Sequence, residues 1–196
     1  MMEKKNLMYA AMTGNLGAVR DLLDGGADPN AVYVRGMTAL MTASMEGHEE
    51  IVGELLAHGA DPNAEYETGG TALMFAAGAG HDGIVKTLLE HGADPNAEFR
   101  TGGSALILAA DAGSIAVMEM LLAHAADVDA RDERGQTALM HAAHPGHLRV
   151  VNMLLAQGPD TNATDAGGRT ALMHAAEEEH EEIVVLLREH GDRLES

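Results

Sequence analysis

A motif that returns every 33 residues constrains this chain more than any other feature. Thr38, Thr71, Ser104, Thr137 and Thr170 each open a Thr-Ala-Leu-Met or closely similar run. A short break follows, then an apolar stretch such as Ile84-Val85 with Leu88-Leu89, and a loop such as Gly92-Ala-Asp-Pro-Asn96. A shorter copy precedes these five, with Leu7 lying 33 residues before Leu40. A helix pair of this size cannot bury its own apolar face, so copies must stack and share a core.

Within one copy the periodicity predicts two short helices. Leu40, Ala43 and Ser44 fall at i, i+3 and i+4, the buried stripe of a first helix. Thr38 and its equivalents are placed to cap that helix through the side-chain hydroxyl. Gly47 breaks the chain, and a second helix is expected from about Glu49 to His58, burying Ile51, Val52, Leu55 and Leu56. Gly59 suits the left-handed turn past a helix end, and Asp61-Pro62-Asn63 begins a turn. Ala125 stands where Gly59 and Gly92 stand, which puts a Cβ in that turn at a cost of about 1 kcal/mol. Pro159 and Glu179, which replaces a glycine, mark the last two copies as less regular.

These residues resemble the ankyrin repeat, whose Thr-Pro-Leu-His signature is here Thr38-Ala-Leu-Met, Thr71-Ala-Leu-Met, Ser104-Ala-Leu-Ile, Thr137-Ala-Leu-Met and Thr170-Ala-Leu-Met. The Gly-His break and the Gly-Ala-Asp-Pro-Asn loop also match, and the resemblance covers essentially the whole chain. It implies an all-α fold, an α-solenoid of stacked helix-turn-helix repeats with protruding β-hairpin loops. Residues 1–196 then form a single domain, with repeats at about 5–37, 38–70, 71–103, 104–136, 137–169 and 170–196. The first and last serve as caps. Arg188 replaces the leucine of Leu56, Leu89, Leu122 and Leu155, Glu177 to Glu179 crowd the last inter-helix turn, and Lys4 and Lys5 serve the opposite end. Hydroxylation at loop asparagines, implied by the resemblance, would fall at Asn30, Asn63, Asn96 or Asn162.

Charge narrows the partners. Asp and Glu number 31 against 12 Lys and Arg, a formal net of -19, which argues against binding a phosphate backbone and fits equally a solvated acidic shell or a basic protein partner. Asp28, Asp61, Asp94, Asp127, Asp160 and Asp192 read as loop chemistry at one repeat position. The chain has no cysteine, so disulfides, Cys-based zinc sites and thiol nucleophiles are excluded. Leu7 to Met12 is too short for a signal-peptide core, and nothing later approaches a membrane span, so a cytoplasmic monomer is expected.

Positions that vary among copies on a shared face are free for recognition. The outer stripe of the first helices carries Thr42/Met45/Glu46, Phe75/Gly78/Ala79, Leu108/Asp111/Ala112, His141/His144/Pro145 and His174/Glu177/Glu178. The loop tips carry Tyr33, Tyr66 and Phe99 at one position, where copies four and five have Asp132 and Asp165. The resemblance implies that this stripe lines a concave groove which binds partners together with the tips. The expected partner-binding residues are Tyr33, Met45, Tyr66, Phe75, Phe99, Leu108, Asp111, His141, His144 and His174. Glu46, Glu65, Glu67 and Glu98 rim the aromatic part, since rigid aromatics make efficient anchors. The bland reading folds each ring over its own loop.

Met8, Met41, Met74, Met140 and Met173 share one register with Ile107 and are expected to pack between copies. His48, His81, His147 and His180 belong to the break, and His58, His91, His124 and His190 to second-helix ends. His141 and His144 lie at i, i+3, but no recognised zinc spacing appears, so neither metal nor cofactor is expected. There is no phosphate loop, no Gly-x-Ser-x-Gly and no His-Glu-x-x-His, and carboxylates on open helix faces have nothing to shift their pKa values. The expectation is a non-catalytic protein-binding module. An inhibitor or immunity-type protein that neutralises a basic effector, or a designed ankyrin binder, are the alternatives.

Overall fold

The computed structural model describes residues 6–194, so Lys4 and Lys5 lie outside the described residues. The chain falls into two compact units, Met1–Arg100 and Thr101–Ser196. The first holds α1 (Leu7–Met12), α2 (Leu16–Asp24), α3 (Ala39–Glu46), α4 (Glu49–Ala57), α5 (Ala72–Ala79) and α6 (Asp82–Glu90). The second holds α7 (Ala105–Asp111), α8 (Ile115–Ala123), α9 (Ala138–Ala143), α10 (Leu148–Leu155), α11 (Ala171–Glu177) and α12 (Glu181–Leu194). In the first unit α1, α3 and α5 pack side by side, with α2, α4 and α6 forming a second row. In the second unit α7, α9 and α11 make one row and α8, α10 and α12 the other.

The helices follow the repeat. Thr38, Thr71 and Thr170 hold extended backbones and accept the N–H of Met41, Met74 and Met173 on their hydroxyls at 3.2, 3.4 and 3.4 Å. Ser104 and Thr137 have the same backbone but make no such bond, so the expected cap is missing from two of five copies. Ser104 Oγ is buried and unpartnered among the described residues. The second helices bury Ile51, Val52, Leu55 and Leu56, and likewise Ile84, Val85, Leu88 and Leu89 and Val150, Val151, Leu154 and Leu155, as the pattern requires, whereas Leu122 and Val184 are only half-buried. Met41, Met74, Ile107 and Met140 are buried, whereas Met173 is 46% exposed.

Loop asparagines tie one copy to the next. Asn30 Nδ2 donates to the Gly59 carbonyl at 2.9 Å while its Oδ1 accepts the N–H of Asp61 at 2.7 Å. Asn63 repeats both bonds with Gly92 and Asp94. In the second unit Asp129 occupies this position. It accepts from Asp160 N–H at 2.9 Å, but a carboxylate has no proton to give the Gly158 carbonyl. Asp28, Asp61, Asp94, Asp127 and Asp160 each lie in these loops, and Asp28 and Asp61 accept the N–H two residues on at 2.9 Å. Asp192 differs: its backbone lies inside α12, which runs on to Leu194, and the same extension places His190 within the helix instead of at its end.

The break histidines brace neighbouring copies. His48 and His81 point Nε2 at the carbonyls of Met12 and Met45 at 3.3 Å, and His147 and His180 at those of Asp111 and His144 at 3.0 Å. Gly47 is left-handed (φ 80°), and a Cβ there would sit 2.8 Å from His81 Cε1, so both backbone and ring demand glycine. Glu179 takes the same left-handed turn at φ 60°, and Ala125 takes the turn of Gly59 at φ 60°, each with a Cβ.

Among the described residues the loop tips form no strands; isolated bridge residues occur at Glu98, Ser104, Arg131 and Thr137, of which Arg131 pairs with Thr137. The tips at Tyr33, Tyr66, Asp132 and Asp165 close on themselves, as in Tyr66 N–H to Gly70 O at 2.8 Å and Asp165 N–H to Arg169 O at 2.9 Å. Successive tips are joined by Glu67 N–H to Arg35 O at 2.8 Å and by Ala166 N–H to Arg134 O at 2.7 Å.

Candidate functional site

The variable face has a different chemistry in each unit. In the first, the tip residue meets the helix residue nine positions on. Tyr66 and Phe75 pack edge to face with centroids 6.4 Å apart. A Cβ on Gly70 would lie 2.9 Å from Phe99 Cε1 and 3.3 Å from Phe75 Cζ, so the glycine lets the three rings close together. All three rings are half-buried, neither withdrawn from solvent nor free of their own loops. Tyr33 is half-buried too and its hydroxyl receives the Met8 N–H at 3.4 Å. Met45 is exposed, and Glu46, Glu65, Glu67 and Glu98 stand in solvent; Glu67 pairs with Arg35 at 3.5 Å. Val32 and Val34, flanking Tyr33, are 69% and 78% exposed and belong to the same apolar rim. Alternation along the tip was the signal for them in the sequence.

In the second unit the same two positions are Asp and His. Asp132 Oδ1 accepts the N–H of Arg134 and Gln136 at 2.9 and 2.8 Å, and its Oδ2 meets His141 Nε2 at 2.9 Å. Burial pushes the Asp132 carboxyl up, but His141 and the two backbone donors outweigh it and hold the group below the usual range. Asp165 repeats the arrangement with Gly167 and Arg169 N–H, His174 Nε2 at 3.0 Å and the Arg169 guanidinium at 3.0 Å. The Arg169 backbone N–H does most to lower it; burial opposes, and the remaining donors help bring the carboxyl to about 2. Carboxylates in the loops are therefore shifted, which the open helix faces gave no reason to expect.

A cavity of about 260 Å³ lies over these pairs, lined among others by Asp111, Arg134, His141, His144, Arg169 and His174. His141 is half-buried and His144 exposed, and the His144 ring stands edge-on to His174 at 5.9 Å. His174 is 2% exposed, so it does not lie on an open stripe: Asp165 draws it inward. Thr42 is likewise buried, its hydroxyl donating to the Thr38 carbonyl at 3.0 Å. Leu108 is half-buried and Asp111 exposed. Gln136, Arg134 and Arg169 were not anticipated as site residues; the recurrence of His nine residues after a tip Asp was the available signal.

The family model for ankyrin repeats matches residues 7–99, 69–132 and 106–196. The chain belongs to the ankyrin repeat family. No curated protein matches it. Ankyrin repeats generally serve protein–protein interaction and are typically non-catalytic. Among the described residues no helix of this ankyrin protein is long and apolar enough to cross a membrane.

Proposed function

We propose that the chain is a non-catalytic binding module that captures a basic protein segment on the variable face of its repeats. The observation that carries this is the Tyr66, Phe75 and Phe99 cluster, half-open to solvent and surrounded by exposed Glu65, Glu67 and Glu98. Aromatic faces contribute contact area at low entropic cost, and surrounding carboxylates attract cationic side chains and raise the encounter rate. Tyr33 and Met45 extend the surface in the first unit; Leu108, Asp111, His141 and His144 supply a more polar one in the second, with His174 supporting it from below. A standalone acidic inhibitor of a basic effector would use the same surface, with a steeper dependence on salt.

Capture from the native lysate by the wild-type chain and by a Tyr66→Ala, Phe99→Ala double variant tests the reading. Capture should fall at least about tenfold, the size expected when two anchors are removed, while circular dichroism stays helical. Unchanged capture with a lowered melting temperature would assign the rings to loop packing and end the proposal.

A further inference from the structure

The last helix pair opens a face that is buried in the pair before it. In the second unit α9 and α10 lie between α7 and α8 on one side and α11 and α12 on the other, and Leu139, Met140, Ala143 and Val151 are buried there. Their equivalents one copy on are Leu172, Met173, Ala176 and Val184. Leu172 and Val184 are only half-buried, and Met173 and Ala176 are exposed. Val185 beside them is 53% exposed. Val184, Val185 and Ala176 line a groove of about 400 Å³ together with Glu179, Glu181 and Arg188. Apolar surface gathered in one place and rimmed by charge favours burial against a partner.

We propose that this face docks on the same face of a second copy of the chain, with α12 antiparallel to its counterpart. Glu181, Val184, Val185 and Arg188 stand at i, i+3, i+4 and i+7 of α12, one stripe with opposite charges at its ends. A two-fold axis passing between Val184 and Val185 sets valine against valine and each Glu181 against the partner's Arg188. Among the described residues neither Glu181 nor Arg188 has an ion pair of its own, so both are open to this contact. Arg188 also selects the occupant. Its equivalent, Leu155, is buried in a copy that has α12 beside it. A helix pair stacked here in the repeat's own register would bury the guanidinium without a carboxylate, which is strongly unfavourable. The antiparallel copy supplies that carboxylate. At about 0.15 M salt the net -19 of each chain is screened within about 8 Å, so contact pairs decide the orientation. The contact uses none of Tyr66, Phe75 and Phe99, and it stands or falls apart from partner capture.

Sedimentation equilibrium of the full chain from about 1 to about 300 µM, the range that small interfaces occupy, tests the pairing. The wild type should reach a dimer and grow no further. Val185→Glu places like charges beside the axis and should weaken the dimer at least about tenfold with the helical spectrum unchanged. Glu181→Arg and Arg188→Glu should each do the same alone, because either one makes both end contacts like-charged. Mixed in equal amounts, those two variants should pair again, since every end contact then joins opposite charges. A wild type that stays monomeric throughout would overturn the proposal. So would a mass that keeps rising with concentration, the mark of head-to-tail stacking. A dimer indifferent to Val185→Glu, or a mixture of the two charge variants that stays monomeric, would do the same.

Discussion

The first unit and the second use one backbone plan with opposite chemistry at the same pair of positions. Where Tyr66 meets Phe75, contact is between rings and requires only Gly70 to stay out of the way. Where Asp132 meets His141 and Asp165 meets His174, contact is a charged hydrogen bond anchored on loop N–H groups. Dispersion tolerates sliding, whereas a buried carboxylate must be satisfied at every lone pair it shows. The first unit can thus offer an adaptable apolar surface, while the second is locked into one geometry around a polar cavity.

Most local departures from the repeat lie in the second unit, namely Ala125 and Glu179 in left-handed turns, Ser104 and Thr137 without their caps, and Asp129 without a donor for Gly158, against Arg35 at φ 60° in the first. Each is worth on the order of 1 kcal/mol. The largest expected effect is on native-state hydrogen exchange, where helices α8 to α11 should open about 10- to 100-fold more readily than α3 to α6. The first unit opening sooner would break the contrast. Next comes acid. Asp165 is held at about 2 against an ordinary 3.8. A depressed carboxyl adds stability above its unfolded value, and that stability is lost as pH falls through the folded one. Between pH 4 and pH 2 the second unit should therefore melt first, and Asp165→Asn should flatten that dependence in a pH series of urea midpoints. The tip positions Tyr33, Tyr66 and Phe99 have no carboxyl to titrate there. Smallest are two repairs. Asp129→Asn restores the donor to Gly158, and Ala125→Gly relieves a Cβ at φ 60°; each should stabilise by about 0.5–1 kcal/mol in urea unfolding. No loss of stability from the converse change Asn63→Asp in the first unit would show that the rung does not matter.

Much of the fold was legible because it is local. Helix starts at Thr38 and Thr71, the Ile51-Val52-Leu55-Leu56 face and the left-handed Gly59 each follow from a few adjacent residues, repeated until chance is excluded. The expected hairpins came out as closed turns, since five-residue tips such as Tyr66 to Gly70 are too short to build a ladder. The aromatic tips were legible as a pattern, but their half-burial was not, because it depends on where Phe75 and Phe99 meet over Gly70.

The amino-acid sequence by itself determined a stack of helix pairs, since a 33-residue period with one apolar face per helix admits no other way to exclude water. Only tertiary structure decided that Asp111 faces His141 across 30 residues and that His174 turns inward to Asp165. Those contacts arise when one copy is laid against the next. Their partners are set by distances between copies, which no spacing within a copy encodes.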